Sequence, residues 1–158
     1  MSTRFFGLKT LFFLIFFFSS FLASANERHY RYFEIGFGVE YGGIGSKVFF
    51  PYGNEYFDIF ISLGAIVSDG DELNMASGIG IEFPIGGVSS INIYSGVSDV
   101  TSTYNQFLAK WESEKIYGIS VSYQLSIVSS ENYSIEVGPS YTITSQDSYP
   151  FLSLGLRF

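Results

Sequence analysis

The sequence has no cysteine, one histidine, one tryptophan and two methionines in 158 residues. Without cysteine there is neither a disulfide framework nor a thiolate metal site. A single histidine, His29, cannot build a multi-histidine zinc centre, and any histidine-dependent triad must use it. Basic residues are scarce too: eight Lys and Arg stand against fifteen Asp and Glu, a formal net charge of −7. A chain with no basic patch has little to offer a phosphate backbone, so no nucleic acid is expected as a partner. What the chain does have is 18 Phe, 12 Tyr and 17 Gly. That aromatic and β-branched content excludes intrinsic disorder and favours an all-β protein.

The longest unbroken apolar run lies near the start, at Leu11–Phe18. Arg4 and Lys9 precede or border it, and Ala23-Ser24-Ala25 follows. A positive end, a short apolar core and a small-residue exit make a secretory signal peptide, with cleavage after Ala25. The run falls short of the roughly 20 residues that a spanning helix needs. Residues 1–25 are therefore expected to leave an exported mature domain, 26–158. Cleavage removes Arg4 and Lys9 and no acid, so the mature chain is more acidic still.

From there to the end the pattern has period two, the period of a strand whose two faces meet different surroundings. Phe33, Ile35, Phe37, Val39 and Tyr41 alternate with Glu34, Gly36, Gly38 and Glu40. A shorter, weaker run follows over 44–50. Phe57, Ile59, Ile61, Leu63, Ala65 and Val67 alternate with Asp58, Phe60, Ser62, Gly64 and Ile66. Leu73, Met75, Ile79, Ile81, Phe83 and Ile85 oppose Asn74, Ala76, Gly78, Gly80 and Glu82, and Ile91, Ile93 and Val97 oppose Asn92, Tyr94 and Gly96. Tyr117 to Ile127, Tyr133 to Ile143 and Tyr149 to Phe158 repeat the pattern, which makes eight runs in all.

Most runs have about 10–14 residues, against roughly five or six for strands of soluble proteins and roughly nine to eleven for a strand crossing a bilayer obliquely. One face is Ile, Leu, Val, Phe and Tyr; the other is Gly, Ser and charges. An eight-stranded barrel has little interior volume. The bulky apolar face would overpack it, so Gly, Ser and the charges are expected inside. Turn residues separate the runs at Gly42-Gly43, 51–54, 68–71, Gly86-Gly87, 129–132 and 145–148. The one long connection, Asp99 to Glu114, falls third of the four on the side away from the termini, where membrane barrels carry their longer loops. The expected fold is all-β: an eight-stranded antiparallel up-and-down transmembrane β-barrel. Pro139, inside the seventh run, removes a ladder N–H, so a bulge is expected there.

This plan resembles that of small Gram-negative outer-membrane barrels of the eight-stranded OmpA and OmpX type. The most specific local match is the end of the chain, where Leu152, Leu154, Leu156 and the terminal Phe158 resemble the signal such proteins present to the barrel-assembly machinery. The resemblance implies outer-membrane lipids including lipopolysaccharide as surroundings, periplasmic chaperones and the assembly machinery as partners in biogenesis, a monomer, and no cofactor.

Three groups of residues stand out within that plan. Glu34, Glu40, Lys47, Asp58, Glu82, Glu136 and Arg157 all fall on the Gly/Ser face. Closure makes the first, seventh and eighth strands neighbours, so Glu34, Glu136 and Arg157 are expected to meet as an ion cluster near the end that carries the termini. It reads either as a structural plug or as part of a gated ion path. Tyr104, Phe107, Leu108 and Trp111 have helical spacing, i, i+3, i+4 and i+7, and form either an external binding surface or apolar residues tucked onto the rim. Asp69, Asp71 and Glu72 make an acidic turn that could hold a divalent cation; no metal site is expected on it. Some outer-membrane barrels are lipid-modifying enzymes that use His and Ser, but His29 has no second histidine to join it, and no catalysis is expected. The alternatives are such an enzyme and a soluble periplasmic binding barrel of the lipocalin kind.

Overall fold

The computed structural model describes residues 32–51, 56–67, 72–105 and 110–158. The signal segment 1–25, His29, Asp69, Asp71, Phe107 and Leu108 lie outside the described residues. The strands are β1 (Phe33–Gly38), β2 (Gly43–Pro51), β3 (Asp58–Val67), β4 (Leu73–Ile85), β5 (Ser89–Asn105), β6 (Lys110–Ser129), β7 (Ser134–Thr144) and β8 (Ser148–Arg157). Each pairs antiparallel with its sequence neighbours, and β1 pairs with β8, so the sheet closes into an eight-stranded barrel. Both ends of the described chain lie at one rim, where Phe33 and Phe158 exchange backbone hydrogen bonds.

Alternation along the strands decides which side chains go inside. Ile61, Leu63, Ile79, Ile81, Ile93, Ile119, Val121, Leu152 and Leu154 are all exposed on the outer wall. Glu34, Lys47, Ser62, Glu82, Asn92, Ser120, Ser122, Gln124, Thr142 and Ser153 are buried inside. The interior also takes bulky rings: Phe49, Phe60 and Tyr94 pack with Val39, and Tyr149 and Phe151 lie against them. The described interior is therefore a two-sided filling, aromatic toward β2 and β3 and Ser/Thr-rich toward β6 and β7.

The structure departs from the sequence pattern in four places. Val39 and Tyr41 do not continue the outer face of β1. The strand stops at Gly38, and Val39–Tyr41 form a 3-10 turn that folds into the lumen with all three residues buried. Gly38 at φ +152° and Gly42 at φ +69° let the chain leave and rejoin the wall, conformations that cost an L-residue with a side chain. The short strand is thus β1, with six residues, and not β2, with nine. Secondly, the connection Asp99 to Glu114 is largely strand, because β5 and β6 continue as a ladder to Asn105↔Lys110. Beyond Gly96 and Gly118 neither strand pairs with β4 or β7, yet the base of the hairpin stays packed on the barrel: Val97 and Val100 are buried with Ala76, and Ile66 lies against them. Thirdly, Tyr104 and Trp111 are cross-strand partners with rings 5.4 Å apart, not neighbours on a helix. Side-chain alternation brings such pairs together without helical periodicity.

The fourth departure is at proline. Pro139 stays in β7, paired with Leu152, and the bulge lies on β6 between Ser126 and Val128. The β6–β7 register lapses between Ser122↔Ser140 and Leu125↔Val137, opposite Pro139, where the missing N–H would have bonded. Pro150 has a parallel solution. Phe158 bonds toward β1, so period two also turns Pro150 toward β1. The β1–β8 ladder ends at Phe37↔Leu154, so no β1 residue needs a donor at Pro150.

Candidate functional site

The lumen near the chain termini holds a connected set of ions. Arg157 enters from β8 and meets carboxylates from three other strands. Its Nη2 lies 3.1 Å from Glu34 Oε2 on β1, and its Nε lies 3.3 Å from Glu136 Oε1 on β7. Nη1 donates to Glu82 Oε1 on β4 at 2.8 Å, and Nη2 donates to the other oxygen of the same carboxylate. A planar guanidinium suits this, because its fixed fork of donors can serve several carboxylates at once. Lys47 Nζ on β2 approaches Glu34 Oε2 at 3.3 Å, and the Tyr41 hydroxyl donates to Glu34 Oε1. The structure thus brings Glu34, Glu136 and Arg157 together and adds Glu82, Lys47 and Tyr41.

Aromatic faces complete the surroundings of both cations. Arg157 Cζ lies 4.2 Å from the Phe49 ring centre; Lys47 Nζ lies 4.1 Å from that of Tyr41 and 5.3 Å from that of Phe60. A desolvated cation over an aromatic face gains about 2 kcal/mol. That gain offsets part of the cost of holding charge in a nearly dry lumen. The aromatic share of the site was not anticipated from the sequence. Phe60 fell on the polar face of its run, and that misplacement was the available signal.

Higher in the lumen, Glu40 of the inturned segment accepts hydrogen bonds from Gln124 Nε2 on β6 at 2.8 Å and from Ser153 Oγ on β8 at 2.8 Å. These bonds anchor the turn across the barrel. Glu72, beside the far rim, accepts a hydrogen bond from Ser113 Oγ of the protruding hairpin at 3.0 Å. Among the described residues no group of three or more His, Asp or Glu is placed to hold a metal ion. The C-terminal residues Leu152, Leu154 and Phe158 point outward, Leu156 is half-buried, and Phe158 stacks on Phe33 with centres 6.4 Å apart.

The outer wall is the second feature. Exposed Ile, Leu, Val and Met side chains cover it, with Ile35 and Phe37 from β1 and Ile44, Val48 and Phe50 from β2. Exposed rings collect near the terminal rim: Tyr32, Phe33, Phe50, Tyr56, Phe83, Tyr133 and Phe158. Comparisons with protein-family models, curated proteins and solved structures find no match.

Proposed function

We propose that the protein is an integral outer-membrane β-barrel, exported by a cleaved signal peptide, with a structural or surface-interaction role and no catalysis. The observation that carries this reading is the continuous apolar outer wall. Soluble monomers rarely expose an apolar patch above a few hundred Å², whereas here exposed Ile, Leu, Val and Phe run right round the closed sheet. A bilayer covers such a wall, and closure leaves few strand edges to face lipid. The rings near the terminal rim match the aromatic girdle of a barrel at the membrane surface. In this reading that rim faces the periplasm and the β5–β6 hairpin projects outside.

The filled lumen supports a plug and not an open pore, since Arg157 ties opposite walls together and Tyr41, Phe60 and Tyr94 are fully buried within it. The soluble-barrel alternative needs its apolar residues inside, and here the larger share faces out. Fractionation tests the proposal. The protein should sediment with outer membranes, resist salt extraction, and migrate faster on a detergent gel before boiling than after. Release by salt into a detergent-free supernatant would refute it.

A further inference from the structure

On the β5–β6 wall, beside Glu82 of β4, the lumen contains a set of buried polar atoms that the fold itself leaves unsatisfied. Asn92 on β5 is 1% exposed, and neither its Oδ1 nor its Nδ2 has a hydrogen-bond partner. Ser122 on β6, the cross-strand partner of Asn92, is 3% exposed with an unpartnered Oγ. Two residues along the same face of β6, Gln124 is 1% exposed; its Nε2 serves Glu40 and its Oε1 has no partner. Buried polar atoms are nearly always satisfied, so three adjacent residues with orphan atoms point to an occupant. Charge points the same way. Leaving Asp58 aside, the lumen buries the carboxylates of Glu34, Glu40, Glu82 and Glu136 against the cations Lys47 and Arg157, an excess of two negative charges. Arg157 and Lys47 serve Glu34, Glu82 and Glu136, whereas Glu40 meets no Lys or Arg among the described residues.

We propose that the lumen binds one alkali cation, Na⁺ or K⁺, between Glu40 and the β5–β6 wall, on Asn92 Oδ1, Ser122 Oγ, Gln124 Oε1 and the Glu40 carboxylate. All four groups supply oxygen, the ligand of hard cations. One carboxylate among neutral oxygens matches a single positive charge better than a divalent ion, which draws on more carboxylates. Because Glu40 belongs to the inturned segment, the ion fastens that segment to the far wall. The site is thus a stability element of the plug, whatever surrounds the barrel.

The test uses the mature barrel refolded in detergent and its equilibrium unfolding in urea, at fixed pH and ionic strength, in NaCl, KCl or N-methylglucamine chloride. Na⁺ or K⁺ should raise the folded-to-unfolded ratio in proportion to one plus the ion concentration over its dissociation constant, by about tenfold at about ten times that constant. Asn92→Leu and Gln124→Leu should abolish that response. Ser122→Ala, which removes one oxygen and little volume, should weaken it and serves where the larger replacements fail to fold. Equal stability in all three salts, or a response that survives all three substitutions, would overturn the proposal; in the first case water alone satisfies the orphan groups. Outer-membrane fractionation is untouched by any of these results, so the two readings fail separately.

Discussion

Arg157 and Glu82 form a two-pronged ion pair across the full width of the barrel. They sit on β8 and β4, four strands apart in either direction round a closed ring of eight. Neighbouring strands are already tied by their ladders, but opposite walls touch only through side chains. This pair therefore joins parts of the wall that nothing in the backbone connects. Its placement follows from Gly155 and Gly36, whose lack of a side chain leaves room for Tyr41 and Glu34 beneath the guanidinium.

Replacing Arg157 by Leu strands Glu82 and Glu136 in the lumen and leaves Glu34 with Lys47 as its one cation among the described residues. Breaking a buried ion pair from one side costs about 3–5 kcal/mol. The Arg157 side chain is 14% exposed, which places the expected loss near the lower figure. Lys115→Leu, on the protruding hairpin, should cost far less. Adding Glu82→Gln and Glu136→Gln to Arg157→Leu should recover part of the loss, because it removes the stranded charges. Urea unfolding in detergent measures these three variants and the Glu82→Gln/Glu136→Gln double variant, and strictly additive effects would show that these residues do not interact.

The inturned segment depends on glycine conformations. An alanine at Gly38 must hold φ near +152°, and its Cβ would come 2.6 Å from Ser153 Oγ, the group that bonds Glu40. An alanine at Gly86 also meets a positive φ, +63°, but nothing lies within 4 Å of its Cβ. Backbone strain at either position costs a residue with a side chain about 1–3 kcal/mol. Gly38→Ala should exceed Gly86→Ala in unfolding free energy, and only Gly38→Ala should make a cysteine placed at Ser153 reactive to a small maleimide. Equal losses and an unreactive cysteine would show that the turn tolerates release from Ser153.

The closed eight-stranded barrel was legible because period-two alternation reports a face, and in a small barrel volume alone decides which face is inner. The Glu34–Glu136–Arg157 meeting was legible for the same reason: closure makes three known strands adjacent. Glu82 was placed on the inner face but not in the cluster, since alternation says nothing about a partner four strands away. Val39 and Tyr41 kept perfect alternation and still turned inward, because two glycines allowed a departure that hydrophobic pattern cannot register. Tyr104 and Trp111 satisfy helical and cross-strand spacing alike, and the ladder from Asp99↔Ile116 to Asn105↔Lys110 chose the second.

The seam between β1 and β8 is the shortest in the barrel, four register pairs from Glu34↔Arg157 to Phe37↔Leu154, extended by the Phe33–Phe158 backbone pair. Deleting Phe158 removes that last pair and its ring contact with Phe33. The deletion should slow or abolish assembly into the membrane while leaving export and signal cleavage intact, as followed by pulse-chase and gel mobility. Phe158→Ala keeps the backbone pair and should assemble better than the deletion if seam closure matters, and no better if the ring itself is what the assembly machinery reads. Normal assembly of the deletion would remove both roles.

The outer wall supplies the sharpest test of a membrane environment. Ile61, Ile81 and Val121 point outward from the middle of β3, β4 and β6, and each is already exposed. In water, an Arg at any of the three replaces an exposed apolar side chain by a charged one, a change usually within about 0.5 kcal/mol of neutral. In a bilayer the same Arg must enter hydrocarbon near its midplane, at a cost of about 2–4 kcal/mol. The two environments thus predict different magnitudes for one substitution. Ser62→Arg is the control for position, because Ser62 is fully buried on the opposite face of β3 and its replacement crowds the lumen in either environment. Refolding each variant into lipid vesicles and into short-chain detergent separates the cases. Ile61→Arg, Ile81→Arg and Val121→Arg should lose about 2–4 kcal/mol in vesicles, with Ile35→Arg near the terminal rim losing less because a long cation can reach the interface there. Three mid-wall variants that fold into vesicles as stably as the parent chain would mean that the wall does not face lipid, and the membrane reading would fall with them.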